Sequence, residues 1–297
     1  MSTPATIATS IIPAVAFDRI AFATDFSESS MRALPVAIAL ARKFGSTLFV
    51  CHVVTPTPLA VGAPEAAPYL YQAEKESAGR ALDEILKDDN LCGLTVRPLM
   101  PAGPLSDELR AMIQQNKIDL VIAGTHGRTG MRRLLLGSSA EVICRIRRCP
   151  VITVGPDVEA TPDMQIKRIL APTDLSEESE LDIPYIALLA KAYGAHVTVL
   201  HVMPPDAATN PDARVLAEPM RRTMMHAFEK EIGDAHAEFA IEFGDTVPAI
   251  LDYARKTKPD LIAMGIRTGF LPGFSLKSTV AYRVIVGAQC PVLTCCL

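Results

Sequence analysis

The chain has 297 residues, enough for two ordinary domains that each bury a core. Its composition is that of a globular protein, with 49% hydrophobic, 21% charged and 5% aromatic residues. A net charge of −4 argues against general nucleic-acid binding, and no apolar run is long enough to span a membrane.

The first seventeen residues hold no Lys or Arg, which argues against a signal peptide and for a cytoplasmic protein. From residue 19, short apolar runs alternate with longer amphipathic stretches: "RIAFAT", "TLFVCHVV", "LTVRPLM", "DLVIAG" and "VITVG". After the first run comes "SSMRALPVAIALARKFG", with apolar residues at helical spacing and Gly45 as a C-cap. Asp25, with Glu28 three residues on, suits either a cap for the first helix or a ligand contact. Strands apolar on both faces, separated by helices, predict a doubly wound five-stranded parallel sheet of the α/β class. The stretch "GPDVEATPDMQ", 155–165, reads as an exposed linker. Seven cysteines occur without a CxxC pair, so neither a zinc site nor a disulfide framework is indicated.

The unit then repeats. "FATDFSESS" at 22–30 returns as "APTDLSEES" at 171–179, an offset of 149 that also aligns Pro35 with Pro184, Gly45 with Gly194 and His52 with His201. "KIDLVIAGTHG" at 117–127 returns as "KPDLIAMGIRT" at 258–268, an offset of 141 that aligns Gly103 with Gly244. The chain is therefore a tandem duplication, 17–155 and 166–297, whose second copy has lost eight residues mid-domain.

The fourth strand of the first copy runs into "GTHGRTGMRRLLLGSS", 124–139. Ligands of open α/β sheets bind beyond the carboxyl ends of strands, where strand order reverses. Gly124 and Gly127 let backbone N–H groups approach phosphate oxygens and tolerate positive φ. Gly137 and Ser138 open a helix whose N–H groups suit phosphate, with added donors from Ser138 and Ser139, and Arg128 reaches the outer phosphates. Asp25 suits ribose hydroxyls. His126 has no identifiable catalytic partner, and Leu134, Leu135 and Leu136 read as an apolar anchor for the loop.

The pattern Gly124-x2-Gly127-x9-Gly137-Ser138, with Thr24-Asp25 after the first strand, resembles the nucleotide-binding signature of the universal stress proteins. The resemblance covers both halves. It implies two tandem Rossmann-like domains of strand order 3-2-1-4-5, a stress-response role, and ATP as ligand, with or without Mg. It implies contacts at Asp25, Val53, Ala123, Gly124, Gly127, Arg128, Gly137, Ser138 and Ser139. Walker A and GxGxxG sequences are absent, so the chain is neither a P-loop protein nor a standard dinucleotide fold.

In that strand order the last strand of each copy is an apolar edge, so the two edges are expected to pair antiparallel as a pseudo-dimer. A homodimer and an unidentified protein partner are compatible with this. At offset 141 the second copy replaces Gly127 by Thr268, Gly137 by Ser278 and Ser138 by Thr279, but keeps Asp174 after its first strand. The first copy is thus expected to hold the main site. A weaker one falls on Asp174, Val202, Gly265, Gly269, Ser278 and Thr279, where Lys277 could replace some lost attraction. No catalytic or metal-ligating set stands out, so the expectation is an ATP-binding regulator with at most weak ATPase activity. A slow nucleotide hydrolase and a scaffold without nucleotide are the alternatives.

Overall fold

The computed structural model describes residues 15–55, 65–125, 137–146, 149–176, 182–209, 237–266 and 279–296, with isolated positions at 179, 215, 219, 221, 222 and 228. The first copy runs β1 (Arg19–Ala23), α1 (Glu28–Met31), α2 (Leu34–Phe44), β2 (Thr47–Cys51), α3 (Ala67–Leu86) and β3 (Thr95–Leu99). It continues through α4 (Leu105–Asn116), β4 (Leu120–Gly124), α5 (Ser138–Cys144) and β5 (Val151–Val154). The second copy holds β6 (Arg168–Thr173), α6 (Ile183–Tyr193), β7 (His196–Met203), β8 (Ala237–Phe243), α7 (Thr246–Thr257), β9 (Leu261–Ile266), α8 (Val280–Gly287) and β10 (Val292–Cys296).

Local sequence sets the ends of the paired helices. Both α2 and α6 carry a proline in the first turn, Pro35 and Pro184, where no intrahelical N–H is needed. Both end on a left-handed glycine, Gly45 at φ 67° and Gly194 at φ 63°, a conformation without steric cost for a residue lacking Cβ.

The strands line up as β3-β2-β1-β4-β5-β10-β9-β6-β7-β8. Each half keeps the order 3-2-1-4-5 with parallel neighbours, as the resemblance implies. The antiparallel pairing expected of the two last strands is present. The halves share one ten-stranded sheet, joined where β10 runs antiparallel to β5 with Leu293 opposite Ile152. Both of these side chains are fully buried. The hydroxyls of Thr153 and Thr294 donate across the seam to the carbonyls of Val292 and Val151, each at 3.3 Å. Pairing removes two apolar edges at once, and a single core cluster continues across the seam from Phe22 and Ile38 to Ile169 and Val199. Rings from the two halves also meet, with Phe44 and Tyr193 centroids 6.5 Å apart.

Two expectations need correction. β3 is not apolar on both faces: its residues are exposed or half-buried, because it is an outer edge, and there Pro98 forfeits no ladder bond to a missing neighbour. The 155–165 connection is only partly exposed. Val158 is buried in the core, and Arg42 of α2 donates to Asp163 at 2.9 Å.

The second copy also buries a carboxyl that the first lacks. Asp182, at the N-cap of α6, is 2% exposed, and Ala33 stands at the matching place before α2. Burial, reinforced by the charge of Asp174, raises its pKa from 3.8 to about 8 against the opposing pull of its own backbone N–H. A carboxyl whose folded pKa lies above its unfolded one holds its proton better in the folded chain. Folded stability is therefore greatest below the unfolded value and falls as pH rises from 3.8 towards 8. Asp182→Asn should flatten that decline, matching the parent in acid and exceeding it at the alkaline end. Urea denaturation at a series of pH values checks this, and an unchanged slope contradicts it.

Candidate functional site

Residues 24–30 form a compact lock after β1. The Thr24 hydroxyl accepts the Phe26 N–H at 2.9 Å and meets the Ser30 hydroxyl at 2.9 Å. Phe26 is held at φ 63°, an uncommon conformation for a residue with a side chain. The Oδ1 of Asp25 accepts from the Ser27 N–H at 3.0 Å and the Ser27 hydroxyl at 2.6 Å. Asp25 is therefore not the helix cap. Ser27 is, accepting the Ser30 N–H at 3.1 Å. His52 Nδ1 lies 2.8 Å from the Thr24 carbonyl. Since a carbonyl can only accept, Nδ1 carries a proton.

This lock is written twice in atomic detail. Leu175 sits at φ 65° with its N–H on the Thr173 hydroxyl at 3.1 Å. Asp174 Oδ1 accepts from the Ser176 N–H at 3.1 Å and hydroxyl at 2.6 Å. His201 Nδ1 reaches the Thr173 carbonyl at 2.9 Å.

β1 pairs with β2 on one side and with β4 on the other, so strand order reverses between β1 and β4. A cleft of about 450 Å³ opens there. It is lined by Asp25, Val53, Ala123, Gly124, Gly137, Ser138 and Ser139, so these predicted residues come together. Gly127, Arg128, His126 and the Leu134–Leu136 anchor lie outside the described residues. Cys51 also lines the cleft, but burial pushes its thiol up to about 12, which leaves it protonated and poorly nucleophilic.

Gly124 has no positive φ, and its missing Cβ also serves packing. A Cβ there would stand 2.6 Å from the Ser29 carbonyl oxygen and 2.7 Å from Ser30 Cα, both main-chain atoms. The missing side chain lets α1 settle on the end of β4, which brings the Asp25 lock to the cleft. Sequence reasoning also missed Glu74 and Ser77 of α3, which line the cleft together with His52. Glu74 and Ser77 arrive from a helix with no motif of its own.

The opposite wall is the start of α5. Its N-cap, Gly137, offers no side-chain cap, and its own N–H donates to the Thr125 carbonyl at 2.8 Å. The N–H groups of the first turn that follows have no intrahelical acceptor. The second copy differs. Its N-cap is Thr279, aligned with Ser138, and the Thr279 hydroxyl accepts the Tyr282 N–H at 3.1 Å. A second cleft of about 410 Å³ is lined by Asp174, Val202, Gly265 and Thr279, together with His201, Leu200, Met264 and Val280. Gly269, Ser278, Thr268 and Lys277 lie outside the described residues.

Fold and clefts define a doubly wound α/β protein with two crevices at equivalent switch points. The chain belongs to the universal stress protein family, whose model matches residues 16–155 and again 165–295. A universal stress protein of Methanocaldococcus jannaschii is 32% identical over 140 residues, covering 46% of this chain and 82% of that protein. One from Mycolicibacterium smegmatis is 22% identical over 281 residues, covering 91% of this chain and 94% of its own. The crystal structure of a universal stress protein from Archaeoglobus fulgidus shares the fold, with a TM-score of 0.72 at 21% identity, covering 94% of this chain and 96% of that one. No helix among the described residues is long and apolar enough to cross a membrane.

Two alanine substitutions test the packing role of Gly124. Gly124→Ala should cost about 1–3 kcal/mol, since main-chain atoms must move to admit the methyl group. Gly79→Ala, in the interior of α3 with nothing near its missing Cβ, should instead gain about 0.5–1 kcal/mol. Urea denaturation of both variants measures the contrast, and equal shifts contradict it.

Proposed function

We propose that the chain is an ATP-binding regulatory protein of the stress response, with its main nucleotide site in the first copy, 17–155. The observation that carries this reading is the uncapped start of α5 facing the Asp25 lock across the first cleft. A nucleotide needs acceptors for its sugar hydroxyls at one end and donors for its phosphates at the other. Asp25 supplies the first. The open first turn of α5, with the hydroxyls of Ser138 and Ser139, supplies the second. Val53 and Ala123 line the wall between, and a cleft of about 450 Å³ lies within the range of small-molecule sites. Gly127 and Arg128 belong to the same site by their place in the sequence signature.

Among the described residues no group of three or more His, Cys, Asp or Glu could hold a metal ion, so Mg, where it takes part, enters as a companion of the phosphates. The chain then acts through occupancy: bound ATP bridges the lock and α5, and a partner reads that state. The second copy, 166–297, keeps the lock but replaces Gly127, Gly137 and Ser138 of the signature by Thr268, Ser278 and Thr279, which weakens its hold on phosphate. A slow ATPase is the second reading, favoured by the presence of Glu74 and His52, both residue types that serve as general bases, in the cleft lining.

Calorimetric titration should give about one tight ATP per chain. Asp25→Ala with Gly127→Val should abolish it, whereas Asp174→Ala should spare it. Two equal tight sites, or loss of binding only on changing Asp174, overturns the assignment, and phosphate release from bound ATP separates the second reading from the first.

A further inference from the structure

Helix α5 packs into both halves of the chain. Its Ile143 belongs to the buried cluster of the first copy, with Ala123 and Val151. Ala140 and Cys144 lie four residues apart, on one face of the helix, and both are buried. They belong instead to the cluster of the second copy, with Ala281, Val284 and Ile285 of α8. The same helix walls the first cleft through Ala140 and Ile143. The second-copy cluster in turn supplies Leu200, Ile250, Met264 and Ala281 to the wall of the second cleft. One continuous buried cluster thus runs from one cleft to the other.

Contact alone does not couple two sites; they must share an element whose displacement both of them feel. The sheet beneath α5 offers no slack. Its strands are tied at the seam by the β5–β10 pairing and the Thr153 and Thr294 bonds, and its other face is filled by the core that both copies share. By contrast α5 has only seven residues, so few intrahelical bonds hold it, and a ligand pressing on Ala140 moves it against α8. In a close-packed interior such a displacement passes to the neighbour instead of being absorbed.

We infer that the two clefts are coupled through the contact of α5 with α8, so that a ligand seated in the first cleft orders α8 and the wall of the second. That a nucleotide is this ligand rests on the reading of the first cleft given above; the route rests on Ala140 and Cys144. By reciprocity, whatever fills the second cleft acts back on the first.

The test uses the full chain as Asp174→Ala, which weakens any direct hold of ATP on the second cleft. Calorimetry follows ATP binding and amide hydrogen exchange follows α8. ATP should slow exchange of the α8 amides by about fivefold or more, the lower end of ordinary coupling between sites. β8, at the far edge of the sheet in the same copy, should change less, because a ligand that merely stabilises the whole fold slows all protected amides alike. Asp25→Ala with Gly127→Val should remove the effect together with ATP binding. Cys144 does not line the first cleft, so Cys144→Ala should leave ATP affinity unchanged while its smaller side chain loosens the contact and removes the α8 response. Ile285→Val trims the α8 side of the same cluster and should do likewise. Circular dichroism of each variant confirms that it remains folded. ATP bound in the first cleft with α8 slowed no more than β8 overturns the coupling and leaves the nucleotide reading standing. An α8 response that survives both contact variants also overturns the inference, since the route then lies elsewhere. A chain that binds no ATP overturns the nucleotide reading and the coupling with it.

Discussion

The hydrogen bond from the Phe26 N–H to the Thr24 hydroxyl is the constraint on which the first cleft depends. It turns the chain sharply at the end of β1 and holds Phe26 at positive φ, which costs about 1–2 kcal/mol for a residue with a Cβ. The cost is met locally, by Ser27 on Asp25 and by Ser30 on both Ser27 and Thr24. Once the turn is fixed, α1 has one direction to follow, and it lies against the end of β4 because Gly124 has no side chain. The acidic group, the helix and the strand end are then set at the switch point by short-range bonds and one close backbone approach.

Duplication copied this frame faithfully. The hydrogen bonds around Thr173 and Asp174 repeat those around Thr24 and Asp25, and the positive-φ residues recur in pairs, Phe26 with Leu175 and Lys117 with Lys258. The antiparallel seam of β5 and β10 then makes the two frames parts of one sheet with a shared core. Divergence is confined to places that the frame does not need. Asp182 replaces the small Ala33 before a helix, and Thr279 closes a helix start that the first copy leaves open. A helix cap worth about 1 kcal/mol to folding in one copy is thus absent from the other, where an unsatisfied helix start is useful to a ligand.

The proline and glycine ends of α2 and α6, and the gathering of Asp25, Gly124 and Gly137 at one crevice, were legible because short-range patterns at constant offset encode them. Strand order came with the family resemblance. The packing part of Gly124 was not legible. A glycine that makes room for another element looks in sequence like one that makes room for a ligand, and only the position of Ser29 and Ser30 separates the two. Sequence left Asp25 open as cap or ligand contact because Asp25 and Ser27 are both good caps, and the choice between them is made by the turn at Phe26. Glu74 and Ser77 enter the cleft from α3, far away in the chain, with no spacing to announce them. The joining of the two sheets was legible from two apolar last strands left as edges, but β3 was misread because its apolar composition does not reveal which strand ends a sheet.

The most direct measurement is a crystal structure of the chain grown with ATP. The account predicts the ribose hydroxyls against Asp25 and the phosphates against the first turn of α5, with the α8 start free of phosphate. Phosphates seated on Thr279, or a triphosphate lying away from both Asp25 and Ser138, would contradict it.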